Sequence, residues 1–182
     1  MLFLVAALFG LFAGVAAGGS VNNLGGIRFK WPLIPLFALI IRDVGVSTAL
    51  AFTPYAPLLY VTGLTALFAW ALWHRHRVPG IVIVAIGMFL NLIVIGANFG
   101  HMPVSLALAD RGPHALIEQG VLGYYVLMSP DTRLDFLGDW IELPPPINRV
   151  FAQAYSPGDL LAIVGMGLAL FWSTRRRVLT AR

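Results

Sequence analysis

Acidic side chains gather between residues 98 and 159, and two of them are suited to work as a pair. The candidates are Asp110, Asp131, Asp135, Asp139, Glu142 and Asp159. Two carboxylates held close together cannot both ionise, so they can share a proton and activate water. Asp159 stands at the start of a late apolar stretch, and Asp139 or Asp110 could fold against it. One hypothesis is therefore catalysis by Asp139 and Asp159. The other is that Asp159 caps its own helix while the remaining acids are solvated.

A second polar group lies inside stretches that are otherwise apolar. Arg42 and Asp43 fall near the middle of one stretch, and Asn91 falls within another. An ionisable residue at that depth in a bilayer is costly, and it marks a functional candidate by default. Neighbouring residues point about 100° apart on a helix, so Arg42 and Asp43 are not expected to pair with each other. Asn91 is a candidate partner for them instead. The group predicts either a site for a lipid head group, a quinone or an ion, or a structural cluster that locks the second and fourth helices.

The histidines and the missing motifs argue against metal and cofactor chemistry. His74 and His76 flank Arg75 and do not converge on one metal ion without further ligands. His101 and His114 could meet across a loop region, but no third ligand is evident. The chain has no cysteine, no Walker lysine motif and no nucleophile-elbow serine. We therefore predict no metal and no cofactor.

Composition indicates that these residues are held by a membrane protein. The chain is 59% hydrophobic and 11% charged, whereas soluble domains carry about 25% charged residues. A spanning helix needs about 20 apolar residues. Five stretches approach that length, namely residues 2–19, 32–52, 55–73, 80–97 and 159–172. The predicted fold is an all-α, polytopic integral membrane protein that forms a single membrane domain over residues 1–182. The first stretch is interpreted as a retained helix and not as a signal peptide.

Charge asymmetry predicts the orientation of these helices. Eight of the 12 basic residues follow apolar stretches at three places, namely Arg28 and Lys30, Arg75 and Arg77, and Arg175, Arg176, Arg177 and Arg182. Seven of the eight acids lie between Asp110 and Asp159. The positive-inside rule then predicts a membrane protein with its N-terminus outside and its C-terminus in the cytoplasm. The basic residues flank the membrane and do not form a patch for nucleic acid.

Small residues recur along the first helix. Ala6, Gly10, Gly14 and Gly18 have a four-residue spacing, which gives a flat face that another helix can approach closely. Packing inside the protein is one interpretation. A homo-oligomer or a membrane-protein partner bound through the Gly10, Gly14 and Gly18 face is the other.

Residues 98–157 are too long and too apolar for a plain loop, and we expect them to form an external lid over the helix ends. Residues 115–117, 121–122 and 124–128 favour a short helix that lies at the membrane interface. The sequence Ser156-Pro157-Gly158-Asp159 predicts a capping box, with Ser156 as the N-cap and Asp159 at the third helical position.

The order of three elements resembles a family of small bacterial multipass membrane proteins known only as a domain of unknown function. The elements are Asn98-Phe99-Gly100-His101-Met102-Pro103-Val104, Leu137-Gly138-Asp139 and Ser156-Pro157-Gly158-Asp159. The chain departs from the family pattern at His101, where a glycine or a methionine is expected. The resemblance implies a protein of the bacterial inner membrane, and it implies no activity. It also implies one external site, formed by Asn98, Gly100, Met102, Pro103, Asp139, Ser156, Gly158 and Asp159. His101 is a further binding candidate.

Three functions remain open at this point. A non-enzymatic scaffold or accessory subunit that binds a lipid, a quinone or a partner helix is favoured, because no catalytic motif is present. A membrane-embedded hydrolase that uses Asp139 and Asp159 at the outer face is the first alternative. A small transporter that uses Arg42, Asp43 and Asn91 is the second.

Overall fold

The chain is mostly helical, which confirms the coarse fold class. The structure is a computed structural model that describes residues 2–27, 29–47, 53–106, 123–151 and 154–175, without the side chains of residues 43–47. Its α-helices are α1 (Leu2–Ala16), α2 (Leu33–Ser47), α3 (Ala56–Trp73), α4 (Ile81–Ala97) and α5 (Pro157–Arg175). Each helix overlaps one of the five apolar stretches. Short 3₁₀ turns occur at Val21–Gly26, Asp135–Leu137 and Ile147–Arg149.

Two of these helices have the length and composition of membrane spans. They are α3 and α5, whereas α1, α4 and the first ten residues of α2 are apolar but shorter. The described helices also leave large apolar side chains on their outer faces; Phe9 and Phe12 of α1 are 72% and 75% exposed. The arrangement of five spanning helices stays a prediction.

The helices pack in a row in the order α1, α5, α4, α3 and α2. α1 packs against α5, α5 against α4, α4 against α3, and α3 against α2. Small residues make the closest approaches, because a Cβ atom on Gly10 would overlap the backbone of Gly167, and one on Gly165 would lie 2.6 Å from the backbone nitrogen of Val84. The face that carries Gly10 and Gly14 is therefore occupied by α5 of the same chain. A homo-oligomer or a membrane-protein partner bound through the face that also includes Gly18 stays a prediction, and a Cβ atom on Gly18 would meet nothing within 4 Å.

Three basic segments meet at one end of the row, which we call the basic end (residues 20–31, 74–80 and 172–175). The amide of Ser20 donates to the carbonyl of Thr174 over 2.9 Å. The amide of Lys30 donates to Nε2 of the buried His74 over 3.0 Å. His74 must then carry its proton on Nδ1, which lies 2.9 Å from the carbonyl of Trp70. These bonds tie the link between α1 and α2 to the ends of α3 and α5.

The opposite end, the lid end, contains a small parallel sheet that the all-α prediction did not include. Strand β1 (Met102–Val104) pairs with β2 (Tyr125–Leu127), and isolated bridges join Val104 to Asp139 and Ile141 to Tyr155. The predicted interfacial helix is therefore wrong over residues 124–128. Its remaining residues lie outside the described part of the chain. The physical reason is that buried β1 needs a partner for its backbone groups, and a separate helix would not supply one.

Candidate functional site

The first turn of α5 holds a buried polar network. Ser156 is completely buried, and its hydroxyl accepts from the amide of Asp159 over 2.9 Å, while a carboxylate oxygen of Asp159 faces the amide of Ser156 at 3.4 Å. This arrangement confirms the predicted capping box. From α4, Asn91 donates to Oδ1 of Asp159 over 2.8 Å and accepts from the Ser156 hydroxyl over 2.9 Å. Asn91 therefore joins α4 to α5. The predicted lock between the second and fourth helices stays a prediction, because the side chain of Asp43 lies outside the described residues.

Close helix packing places Asn91 beside Asp159. A Cβ atom on Gly158 would lie 2.6 Å from the carbonyl oxygen of Gly87 and would overlap the side chain of Asn91. Because glycine has no side chain, Gly87 and Gly158 let α4 and α5 approach closely at the level of the network. Any larger residue at position 158 would push the Asn91 amide away from the carboxylate.

Asp139 lies over this network on the lid and is only 4% exposed. Its amide donates to the carbonyl of Pro103 over 2.8 Å, and its carbonyl accepts from the amide of Ser105 over 2.9 Å. Its backbone thus extends the small sheet. The hydroxyl of Tyr125 donates to its carboxylate, while Oδ1 has no hydrogen-bond partner among the described residues.

Burial and a neighbouring charge act together on Asp139. Loss of water around the carboxyl raises its pKa well above the ordinary value, and the negative charge of Asp159 raises it further. The hydrogen bond from Tyr125 opposes this effect without reversing it. The same burial raises the pKa of Tyr125, with Asp139 as the next cause. The charge of Asp159 thus acts on Asp139 in the same direction as burial, and a catalytic pair of the two carboxylates stays a prediction.

Three tyrosines connect the carboxylates to Arg42. The rings of Tyr60 and Tyr124 are 5.5 Å apart, and those of Tyr124 and Tyr125 are 4.4 Å apart. The guanidinium carbon of Arg42 lies 6.0 Å from the centre of the Tyr60 ring. Sequence reasoning missed these tyrosines. They could have been noticed because each tyrosine lies within or next to an apolar stretch, and a buried tyrosine hydroxyl usually requires a hydrogen-bond partner.

Asn98 fastens the lid and does not join the carboxylates. Its side-chain amide donates to the carbonyls of Val94 over 2.8 Å and Arg133 over 2.7 Å, and its oxygen accepts from the amide of Arg133 over 2.8 Å. Met102 is buried beneath the lid against Leu64. The predicted meeting of Asn98 with Asp139 and Asp159 is thus replaced by one that involves Asn91. Asp43 belongs to α2, but its side chain lies outside the described residues, as does all of His114.

An open groove of about 710 Å³ runs between α3 and the turn that follows α4. Pro57 and Val61 form one wall, and Gly96 with residues 99–101 forms the other. Gly100 has a φ of +95°, and a Cβ atom there would lie 2.9 Å from Cβ of Pro57, so glycine allows this close approach. Nδ1 of His101 lies 3.1 Å from the carbonyl of Asn98, which orients the imidazole at the groove.

Phe99 is an unusual residue at the rim of this groove. Its φ of 57° is left-handed, a conformation that bulky residues rarely adopt, and its side chain is 85% exposed. Backbone strain of this kind tends to occur where a side chain has a binding role. Among the described residues, no group of three histidine or acidic side chains is arranged to hold a metal ion.

Comparison with known proteins places the chain in a family without assigning it an activity. The model of a family of unknown function, DUF5317, matches residues 26–171. An uncharacterised protein of Thermotoga maritima is 24% identical over 164 residues, which cover 90% of this chain and 84% of the relative. No solved structure matches. The comparisons support the expected unknown-function family, whereas its motifs and its multipass nature stay predictions.

Proposed function

The chain belongs to DUF5317, a family of unknown function, and we propose that this member is a non-enzymatic multipass inner-membrane protein. In this proposal it binds a small amphipathic molecule, a lipid or a quinone, in the groove beside His101. The observation that carries the proposal is the groove itself, which is open, mostly apolar, and provided with one imidazole.

Membrane residence is supported by the outer faces of the helices. Phe9, Phe12 and Phe37 are more than half exposed, and a water-facing surface with many such residues would aggregate. In a bilayer the same side chains meet acyl chains. The basic end would then face the cytoplasm and the lid end the outside, since basic segments are retained on the cytoplasmic side.

The shape and position of the groove suit an amphipathic ligand. Its walls are built from α3 and from the turn after α4, so an apolar tail could enter from the bilayer while a polar head reaches His101. Small-molecule sites are typically apolar clefts with few polar groups that fix orientation. Phe99 at the rim would cover the bound tail.

The buried polar network supports this site by holding its second wall in place. Asn98 bonds the lid backbone at Arg133 and lies directly before Phe99. Asp139 and Tyr125 then join the lid strands to one another above the helix ends. In this proposal the carboxylates are structural, and the ligand contacts residues 99–101.

Filling the groove tests the proposal. A Cβ atom on Gly96 meets nothing within 4 Å, so Gly96→Leu should place a side chain in the groove without disturbing the helix. We expect binding of a short-chain alkyl benzoquinone, or of the zwitterionic lipid phosphatidylethanolamine, to weaken about ten-fold, because leucine takes the place of ligand contacts worth about 1.5 kcal/mol. Native mass spectrometry of the detergent-solubilised protein measures this.

Gly25→Leu is the matched control, because Gly25 also has open space and lies at the basic end. Unchanged binding in Gly96→Leu, or an equal loss in Gly25→Leu, would refute the groove as the site. The probe whose binding is lost distinguishes a quinone from a lipid.

The hydrolase is retained as a second candidate because of one observation. Oδ1 of buried Asp139 has no hydrogen-bond partner in the described part of the chain, and such a group can be a catalytic carboxyl that awaits a water molecule. A hydrolase would lose its activity on Asp139→Asn with its fold intact. A lid contact would change only the stability of the protein.

A further inference from the structure

We propose that a second site, at the basic end, binds the phosphate group of an anionic phospholipid. The site is a concave surface of about 460 Å³ lined by Arg75, His76, Pro79, Trp172 and Arg175. It lies at the opposite end of the helices from the groove. This inference rests on the membrane location in the proposed function, but not on the groove or its ligand.

The turn between α3 and α4 builds the site by its close approach to α5. Gly80 has a φ of +79°, and a Cβ atom there would lie 2.9 Å from the amide nitrogen of Ala169 and 3.2 Å from the ring of Trp172. The turn is stiffened by bonds from the amides of Arg77 and Val78 to the carbonyl of His74, at 2.8 and 3.0 Å. The pocket therefore has walls on two fixed elements.

The guanidinium groups of the two arginines are held in place by their own helix ends. Nη1 of Arg75 donates to the carbonyl of Leu72 over 3.0 Å, and the guanidinium of Arg175 lies 5.5 Å from the centre of the Phe171 ring. A guanidinium carries five N–H donors in a planar fork that matches phosphate oxygens. A single bond or ring contact thus does not exhaust its capacity.

Charge complementarity identifies the ligand as an anion. The sequence contains no Asp or Glu from residue 44 to 109 or after residue 159. The pocket thus joins Arg75 and Arg175, with His76 beside them, in a region whose sequence offers no local carboxylate. An anionic phosphate is the group that would neutralise these charges.

The surroundings of the pocket favour a membrane lipid over a soluble phosphate. Leu72, Trp73 and Trp172 are exposed at the same ends of α3 and α5. Tryptophan is enriched where the acyl region of a bilayer meets the head groups, and basic pockets between helices on the cytoplasmic side suit anionic head groups. Acyl chains would cover these apolar residues while the phosphate enters the pocket.

The simpler alternative is that the two arginines only stabilise the negative ends of α3 and α5. That role requires positive charge but no ligand. It predicts that the thermal stability of the protein does not depend on the head group of the surrounding lipid.

The test compares lipid binding by the full chain and two paired variants. We would titrate phosphatidylglycerol, phosphatidylcholine or inorganic phosphate into the detergent-solubilised protein and measure binding by native mass spectrometry and the shift in melting temperature. For Arg75→Gln with Arg175→Gln we expect binding of phosphatidylglycerol to weaken about 30-fold, from about 1 kcal/mol for each lost charge. Arg75→Lys with Arg175→Lys should recover part of this loss.

Arg149→Gln is the matched control, since Arg149 is exposed on the lid, and it should bind as the unchanged protein does. Equal stabilisation by phosphatidylcholine, an equal effect of inorganic phosphate, or full binding by the glutamine pair would overturn the inference. Gly96→Leu, which fills the groove, should leave this binding intact. Failure of the groove proposal and failure of this one are therefore separate results.

Discussion

Asp139 is a buried acid at the lid end, and its carboxyl couples the stability of the fold to pH. It is buried, close enough to Asp159 to feel its charge, and bonded by the hydroxyl of Tyr125. Because burial and that charge raise its pKa, the folded protein holds the proton of Asp139 more tightly than the unfolded chain does. The carboxyl thus contributes most to stability when protonated.

Asp139→Asn should therefore change how stability depends on pH. A raised folded-state pKa gives stability that is fully present below the unfolded value and is lost as pH rises through the folded value. The asparagine variant lacks this loss. As pH increases from about 4 to 8, the free energy of unfolding of the variant should rise relative to that of the unchanged protein by on the order of 1 kcal/mol or more. Melting temperatures in detergent across this range measure the difference.

Asp131→Asn is the control, because Asp131 is an exposed acid of the same lid. It should follow the pH profile of the unchanged protein. A difference between Asp139→Asn and the unchanged protein that stays constant at every pH would contradict the raised pKa of Asp139 in the fold.

At the scale of elements, α5 is the helix that joins α1 to α4. It contacts α1 on one side and α4 on the other, and its first turn carries the capping box and Asp159. The contacts depend on small residues, since Gly10, Gly87, Gly158 and Gly165 all lie against neighbouring backbone. Helices in lipid gain their affinity from such close packing, because apolar burial drives little of their association.

Gly10→Ala tests whether the contact of α1 with α5 holds the fold together. The added methyl group would overlap the backbone of Gly167, so the helices must separate, at a cost of about 1–3 kcal/mol. We expect Gly10→Ala to show a lower melting temperature and faster proteolysis of α1 than the unchanged protein. Gly25→Ala, where space is open, should leave both unchanged, and equal stability of the two variants would contradict the packing.

At the scale of the whole molecule, charge is separated between two ends. The basic end collects the segments that contain Lys30, Arg75 and Arg175, and the lid end holds Asp139 and Asp159. The predicted sidedness follows from this separation through the positive-inside rule. A ligand groove would then face the outside, and the basic pocket would face the inner leaflet.

Cysteine labelling tests this orientation directly, because the chain has no native cysteine. Asp131→Cys on the lid and His76→Cys at the basic end both place a thiol at an exposed position. In intact spheroplasts a membrane-impermeant maleimide should label only Asp131→Cys. Both should react after lysis. Labelling of His76→Cys alone would reverse the orientation, and protection of both until lysis would place the lid end inside.

The sequence by itself determined where the helices lie and how the last one begins. Apolar length and the Ser156-to-Asp159 spacing are properties of neighbouring residues, and so they can be read along one chain. The sequence also marked Asp139, Asp159 and Asn91 as unusual, because polar groups within or beside apolar stretches need partners. It did not establish which partners they find.

The tertiary structure decided those partners, because they depend on which elements become neighbours. Packing of α4 on α5 joins Asn91 to Asp159, a partner that the sequence did not suggest. The parallel pairing of residues 102–104 with 125–127 turned part of a predicted helix into a strand and placed Tyr125 on Asp139. Gly10 was recognised as a packing residue, but only the three-dimensional order of the helices could assign it to α5. Backbone pairing and helix contacts are long-range, and a hydropathy pattern carries no information about them.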